Sequence, residues 1–346
     1  MSAISAPALR RFASALLTGG GFVHQDADAM ADLLVWANLR GADSHGVLRI
    51  PRYIEMLALG QVKADHQISI AHAFGAIRVV DGDMAPGAVA MNRAVTEAMA
   101  MATRFGLGWC GVRRTSHAGA VGYFVEQVAR AGMIGIAMTA SKPLMSYFGA
   151  KGEALSTNPL AISIPSPDCG DPLILDMSTA AVALGKVMSA KDANRPIPLG
   201  WAIDADGAET TDPHKVAALL PMAGAKGSGL SLMIEMLCSV LNGNPAIAPA
   251  LTGGKAGGFN GMVLAIDPRA FGDPQIFRED VGALMAAIGG LEPAPGFDRV
   301  RLPGERGYET RRLRERDGIM LPSGTVDRLI DCARGLGVEL PAGLAE

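Results

Sequence analysis

The sequence predicts an α/β body preceded by a helical part over residues 1–72, and three observations carry that expectation. Residues before Gly41 repeat their apolar positions with helical spacing. From Ile77 the texture changes to short β-rich runs alternating with helical ones. The one G-x-G-x-x-G in the chain, Gly106-Leu-Gly108-Trp-Cys-Gly111, follows a helix and opens a strand, the reverse of the strand–glycine–helix order that presents a helix N-terminus to a pyrophosphate. Those glycines read as a helix C-cap and a turn, so a Rossmann fold is not expected.

In chain order, Ala6 to Leu17 forms an amphipathic helix stopped by TGGGF, and a second helix starts at Asp26 and Asp28 and carries Met30, Leu33 and Leu34. The strands are IRVV, WCGVR, MIGIAMT, LAISI, LILDM and GMVLAID, with DRVRL as a further candidate near residue 300. Helices are expected at Asn92–Arg104, Tyr123–Ala131, from Leu230, and from Pro274 to Ile288. A closing helix opens at Pro322 and Ser323.

Composition narrows the function. At 346 residues with 49% apolar and 19% charged content, the chain can bury a large core. A net charge of −3, no basic run and 5% aromatics argue against nucleic acid as a partner. The longest apolar runs, Met133 to Ala140 and Leu230 to Leu241, fall short of the roughly 18 to 20 residues of a membrane span, so no membrane association is expected. The N-terminus reads as an amphipathic helix with two arginines rather than a secretory signal, which points to the cytoplasm. Cys110, Cys169, Cys238 and Cys332 have neither zinc nor disulfide-framework spacing and read as buried thiols, and no metal site is expected. No P-loop, H-E-x-x-H or G-x-S-x-G occurs.

The stretch GADSHGVLRIPRY, Gly41 to Tyr53, concentrates chemistry. If a helix starts near Ser44, His45 and Arg49 lie four apart on one face. A histidine can pass a proton near neutral pH and a guanidinium can grip a carboxylate in bidentate fashion, a pairing suited to a small 2-oxo acid. A solvated helix face has the same spacing. In RRTSHAGAVGYF, Ser116 and His117 end a strand, and Gly119 and Ala120 open a helix whose exposed N–H groups favour an anion; a serine N-cap beside a hydrogen-bonded histidine reads equally well. GAKGSGLSLMIEML places Lys226 at the head of an apolar helix, as a phosphate site or as a glycine-rich turn. LPGERGYETRR, with Pro303, Gly304 and Gly307 around Glu305 and Arg306, reads as a loop able to lie along a ligand or as an ordinary surface turn. The clusters ALSTNP and LDMST sit beside strands.

Seven segments in register, ADSHGVLRIPRYIEML, SHAGAVGYFVEQVARAGMIGIAM, STNPLAISIP, LDMSTAAVALGKV, GWAIDADGAETTDP, KGSGLSLMIEML and RLPGERG, resemble the malate/L-lactate dehydrogenase family, which also contains ureidoglycolate, sulfolactate and diketogulonate oxidoreductases and cyclic imino acid reductases. The resemblance spans nearly the whole chain. It implies a homodimeric oxidoreductase using NAD or NADP on a small carboxylate substrate, with a non-Rossmann cofactor fold: a central cofactor-binding body over 73–295, and a helical part over 1–72 packing with 296–346. It implies His45 as proton donor in reduction, supported by Ser44, with His117 as second choice, and Arg49 and Thr157 facing substrate. The dinucleotide is expected at His117, Ala118, Gly119, Ala120, Val121, Asp176, Met177, Ser178, Lys226, and Pro303, Gly304, Glu305, Arg306, Gly307, Tyr308 and Glu309.

Two departures bear on the substrate. Imino acid reductases of the family tend to carry His-Gly-Asp where this chain has Leu184, Gly185 and Lys186, so the aspartate that supports their Ser–His pair is absent. Hydroxy acid members usually read Arg-Gly-Lys, which Lys186 fits and Leu184 does not. The sequence therefore favours a 2-oxo/2-hydroxy acid substrate, with a cyclic 2-imino acid as alternative and a non-catalytic dinucleotide binder below it.

Overall fold

The computed structural model describes residues 3–168, 170–254 and 258–344. Helix α1 (Ala6–Gly19) begins where Ser5 Oγ accepts the Ala8 N–H and Pro7 occupies the first turn. Its buried Leu9, Phe12, Ala13, Leu16 and Leu17 form the apolar stripe expected from the sequence, packed on α2 (His24–Leu39).

The helix expected from Ser44 is not continuous. Two 3-10 turns, Asp43–His45 and Val47–Arg49, are separated by Gly46 in an extended conformation, and α3 (Ile50–Ala58) follows. Asn38 is the cause. Its Oδ1 accepts the Val47 N–H at 2.9 Å and its Nδ2 donates to Asp43 at 2.6 Å, so side-chain bonds replace the helical ladder. A Cβ at position 46 would lie 2.3 Å from that amide oxygen, which requires glycine. Arg314 closes the latch from the C-terminal segment with Nη1 and Nη2 2.7 and 3.0 Å from the Asp43 carboxylate.

Strands β1 (Ser69–Phe74) and β2 (Ile77–Ala85) form a hairpin, then α4 (Gly87–Phe105) crosses to β3 (Leu107–Thr115). There follow α5 (Gly122–Arg130), β4 (Ile134–Ala140), β5 (Leu160–Ile164), β6 (Leu173–Met177) and α6 (Leu184–Asp192). After the short pair β7 (Ala202–Ile203) and β8 (Ala218–Leu219), α7 (Ala225–Glu235) runs into a π-turn at Met236–Val240. The remainder is α8 (Ile247–Leu251), β9 (Phe259–Ile266), α9 (Pro274–Gly289), α10 (Glu305–Asp317) and α11 (Ser323–Leu336).

The large sheet has the order β1-β2-β3-β9-β4-β5-β6, and among the described residues only β2 and β3 pair in parallel. A doubly wound parallel sheet is thereby excluded, in agreement with the rejected glycine fingerprint. Gly106 is the left-handed C-cap of α4 (φ +82°), its N–H donating to Ala102 O at 2.7 Å. Alternate residues of β9 serve two cores: Val263 and Ala265 face the side of α4 and α5, and Met262 and Leu264 pack with Ile234 and Cys238. Buried Ala90, Ala94, Ala98 and Ala102 keep the sheet-facing stripe of α4 small.

A Cβ on Gly108 would fall 2.0 Å from Ala98 O and 2.8 Å from Ala102 N, both backbone atoms of α4. Gly108→Ala is therefore expected to cost about 1–3 kcal/mol or more, as overpacking does, seen as a lower urea midpoint. Dinucleotide affinity of the folded fraction is expected to stay unchanged, because this glycine packs a helix and holds no phosphate.

Three expectations need correction. DRVRL is not a strand, and PGERGYETRR is not a loop throughout, because Gly304 at φ +92° starts the thirteen-residue α10. Helix α5 opens at Gly122, after a turn in which Gly119 adopts φ +76°. Cys110 and Cys238 are buried as expected, Cys332 is half-buried, and Cys169 lies outside the described residues. The chain's C-terminal segment returns to its start: Ile319 bridges Ile4, and α11 packs on α1 and α3.

Candidate active site

A cavity of about 420 Å³ opens between the 42–49 turns, the β3–α5 turn, the end of β4, the 156–159 segment, the end of β6 and the start of α6. Its lining brings together Ser44, His45, Arg49, His117 to Val121, Thr157, Asp176 to Ser178, Leu184 and Gly185 from positions far apart in sequence. No helix of the described residues is long and apolar enough to cross a membrane, and they hold no cluster of metal-ligating side chains.

Ser44 Oγ lies 3.0 Å from His45 Nδ1. The broken turn also aims Arg49 back, so that its Nε donates to Ser44 O at 2.8 Å and its two terminal nitrogens remain for a ligand. The His45 ring stacks on His117 with centroids 5.6 Å apart and planes 19° from parallel. Tyr53 OH is 2.8 Å from His117 Nδ1, and Phe259 meets the same ring edge-on at 5.7 Å. Burial, then the nearby Arg49 charge, lowers His45 to about 4. His117 is held well below its ordinary value by burial, His45 and Arg49 in that order. Burial pushes Tyr53 up to about 12. Two neutral imidazoles therefore stand at the cavity wall at neutral pH, with the protonated Tyr53 phenol bonded to His117.

Ser116 caps a helix, although not α5: its Oγ accepts the Gly87 N–H at 2.9 Å, at the start of α4. A Cβ on Gly87 would be 2.4 Å from His117 O, so the turn carrying His117 is pressed on that helix end. At the start of α5 the Gly122 N–H donates to Asp176 Oδ2 at 2.9 Å. The anion favoured at this helix terminus is thus a carboxylate of the chain itself. Asp176 is exposed to the cavity, and desolvation by the walls around it raises its carboxyl above the usual range.

The remaining expected residues lie elsewhere. Lys186 is exposed on α6 outside the cavity lining, while Gly185 stands over Ser44, where a Cβ would meet Ser44 Cβ at 3.3 Å. Lys226 is exposed in the first turn of α7, and Pro303 to Glu309 also lie outside the lining. In that segment Gly304 O accepts from Arg40, whose guanidinium lies 3.8 Å over the Tyr308 ring, and Glu309 pairs with Arg299. Arg306 is exposed. Thr139, Ser141, Lys142, Leu144, Ser156, Pro159 and Phe259 also line the cavity, with Ala42, Ala140 and Ala183, and the sequence did not single them out individually. Ser156 and Pro159 had a signal in the ALSTNP cluster, and Tyr53 in its closeness to Arg49.

Comparisons with known proteins give the family. A profile of the malate/L-lactate dehydrogenase family matches residues 4–330. The NAD(+)-dependent ureidoglycolate dehydrogenase of Escherichia coli strain K12 is 35% identical over 335 residues, covering 95% of each chain. The solved sulfolactate dehydrogenase of Methanocaldococcus jannaschii superposes with a TM-score of 0.88 at 33% identity, covering 97% of this chain and 98% of that one. The Δ1-piperideine-2-carboxylate reductase of Pseudomonas syringae superposes with a TM-score of 0.83 at 28% identity, covering 96% of this chain and all of its own. The fold is that of a nicotinamide-dependent oxidoreductase outside the Rossmann class. The chain belongs to the malate/L-lactate dehydrogenase family.

Proposed function

We infer that the chain is an NAD(P)-dependent dehydrogenase that interconverts a small 2-hydroxy acid and its 2-oxo acid. The observation that carries this reading is the convergence of Arg49, His45 and His117 on one cavity wall, with Ser44 on His45 and Tyr53 on His117. The lining fits a dinucleotide on a feature of this chain: the Asp176 carboxylate makes one hydrogen bond among the described residues, to Gly122, and keeps acceptor capacity turned to the cavity, as a ribose hydroxyl requires. Asp176 to Ser178 and His117 to Val121 would hold the cofactor, whereas Lys226 and Pro303 to Glu309 lie outside the cavity lining. When bound, the nicotinamide supplies hydride to C2 of the oxo acid or removes it from the hydroxy acid.

The chain's own residues do the rest. Arg49 holds the substrate carboxylate through its free guanidinium nitrogens, which orients C2. His45 passes the proton: neutral, it takes one from the hydroxyl in oxidation, and its conjugate acid returns it to the alkoxide in reduction. A bound carboxylate offsets the Arg49 charge that helps to keep His45 neutral, so substrate raises the affinity of His45 for the proton that reduction needs. Ser44 orients that ring, Thr157 faces the substrate, and Leu184 and Gly185 line the cavity beside Ser44. Lys142 adds a second cation to the lining, which suits a substrate with a second anionic group.

Because the His45 value is lowered to about 4, kcat/KM for hydroxy acid oxidation is expected to stay level as pH falls through the ordinary histidine range and to drop only near that lower value. The sign for stability is the same. Below about pH 6.5 the unfolded chain takes up protons at His45 and His117 that the folded chain refuses, so stability falls as pH falls from 6.5 toward about 4. Thermal unfolding from pH 8 to pH 5 checks this; a melting point rising with acidity would contradict it.

Three further proposals accompany the enzyme. A homodimer is supported by apolar helix faces without cover: α9 has no buried residue and exposes Ile276, Leu284 and Ile288, and the α7 region exposes Met233, Met236, Val240 and Leu241. The division into 73–295 and a joined 1–72 and 296–346 part is supported by the Asp43–Arg314 latch and the Ile4–Ile319 bridge. Cytoplasmic location accompanies the proposed use of a nicotinamide cofactor. The reaction is tested by following nicotinamide absorbance with NADH and NADPH over pyruvate, oxaloacetate, longer 2-oxo acids and the two cyclic imino acids. Turnover of open-chain acids is expected, and turnover restricted to imino acids would overturn the substrate assignment.

A further inference from the structure

The hydrogen-bond capacity around His117 is unusually restrictive. Tyr53 is 8% exposed, and among the described residues its hydroxyl has one partner, His117 Nδ1 at 2.8 Å. A phenol hydroxyl can donate or accept, so two arrangements share this distance. If Nδ1 carried the proton and donated to Tyr53, the phenol proton would itself be left buried without an acceptor, a loss of about 1–3 kcal/mol. If the phenol donates, both groups are satisfied. The opposite case stands beside it: Ser44 is half-buried at the cavity, where its hydroxyl can turn to other partners and leaves the His45 tautomer open.

We propose that Tyr53 is a positioning residue that fixes neutral His117 as the Nε2–H tautomer, so that His117 offers a hydrogen-bond donor to the substrate oxygen while His45 carries the proton. His117 lines the cavity with Nδ1 already engaged, which leaves Nε2 as its nitrogen for a ligand. The ring is held from three sides, by His45 at 5.6 Å, Phe259 at 5.7 Å and Tyr53 at 6.0 Å between centroids. A phenol whose acidity is suppressed by burial keeps the proton that it donates. The charged group facing this cluster is Arg49, which has no acceptor for the phenol proton. The division of labour resolves why two stacked histidines occupy one wall: a neutral N–H polarises the carbonyl, as preorganised donors do, and the other imidazole transfers the proton. This assignment rests on the dehydrogenase reading for its purpose, although not for its geometry.

The test is nitrogen NMR of the enzyme labelled with [15N]histidine, near neutral pH and without ligand, with the His117 pair identified by its disappearance in His117→Gln. The expected result is a pyridine-type Nδ1 and a pyrrole-type Nε2 for His117. A pyrrole-type Nδ1 would overturn the proposal. In Tyr53→Phe the His117 signals are expected to shift toward a tautomer mixture, with kcat falling about 10- to 100-fold, the scale for losing the orienting partner of a functional histidine, and KM nearly constant. Unchanged His117 signals in folded Tyr53→Phe would also overturn it. Should that variant not fold, the wild-type spectrum decides alone, and it decides even if no acid in the substrate panel is turned over.

Discussion

His45→Ala is expected to lower kcat/KM for both reaction directions by about 10²- to 10⁴-fold, the usual contribution of a positioned proton carrier, while NADH binding followed by fluorescence stays within a few-fold of wild type. The residue is half-buried, its ring is stacked on His117, and its Nδ1 is engaged by Ser44, so Nε2 remains for the substrate oxygen. Removing the imidazole leaves Arg49 and His117 in place to bind and polarise the substrate without a group to move the proton. Near-wild-type turnover with normal cofactor binding would transfer the acid/base role to His117.

Arg49→Lys is the second large effect. Lysine keeps the charge and loses the fork, since the Nε–H to Ser44 O bond at 2.8 Å is what turns the terminal nitrogens toward the cavity. Truncating one partner of a hydrogen-bonded charge pair costs about 2–5 kcal/mol, and Lys recovers part of it. Substrate KM is expected to rise strongly, about 5- to 70-fold if the retained charge leaves half of that loss, and kcat to fall as C2 loses its alignment. An unaltered KM for a 2-oxo acid, with an intact fold by circular dichroism, would remove Arg49 from the carboxylate site.

Periodicity located most of the sheet, because its strands are continuous apolar runs bounded by turns. LAISI and LILDM are strands over the residues quoted, while β1, with five of six positions exposed, left no such run to see. Helix α10 was hidden for a different reason: it contains mostly charged residues with one buried position, Tyr308, so no apolar stripe marks it. Its anchors are ionic and aromatic, Arg314 on Asp43 and Arg40 over Tyr308. The break at Gly46 was also beyond local reading, since it depends on Asn38 reaching across from α2.

The same distinction holds in the candidate site. Residues on contiguous motifs, Ser44, His45, Arg49, His117 and Asp176, could be picked out singly, and the cavity brings them together. Lys142 and Phe259 carry no motif and enter the wall only through the ends of β4 and β9. Leu184, noted as a departure, lines the cavity, whereas Lys186 lies outside the lining because both stand in the first turn of α6, where residues two apart point to different sides.

Hydride transfer to C2 is the central claim, and it is measured directly by incubating the enzyme with NADH or NADPH bearing deuterium at C4 on either face, together with oxaloacetate or pyruvate, and locating the label by mass spectrometry and NMR. Deuterium at C2 of the 2-hydroxy acid, from one face of the nicotinamide only, is the expected result. Cofactor that binds but leaves every 2-oxo acid unlabelled, or label found solely in a reduced cyclic imino acid, would contradict it.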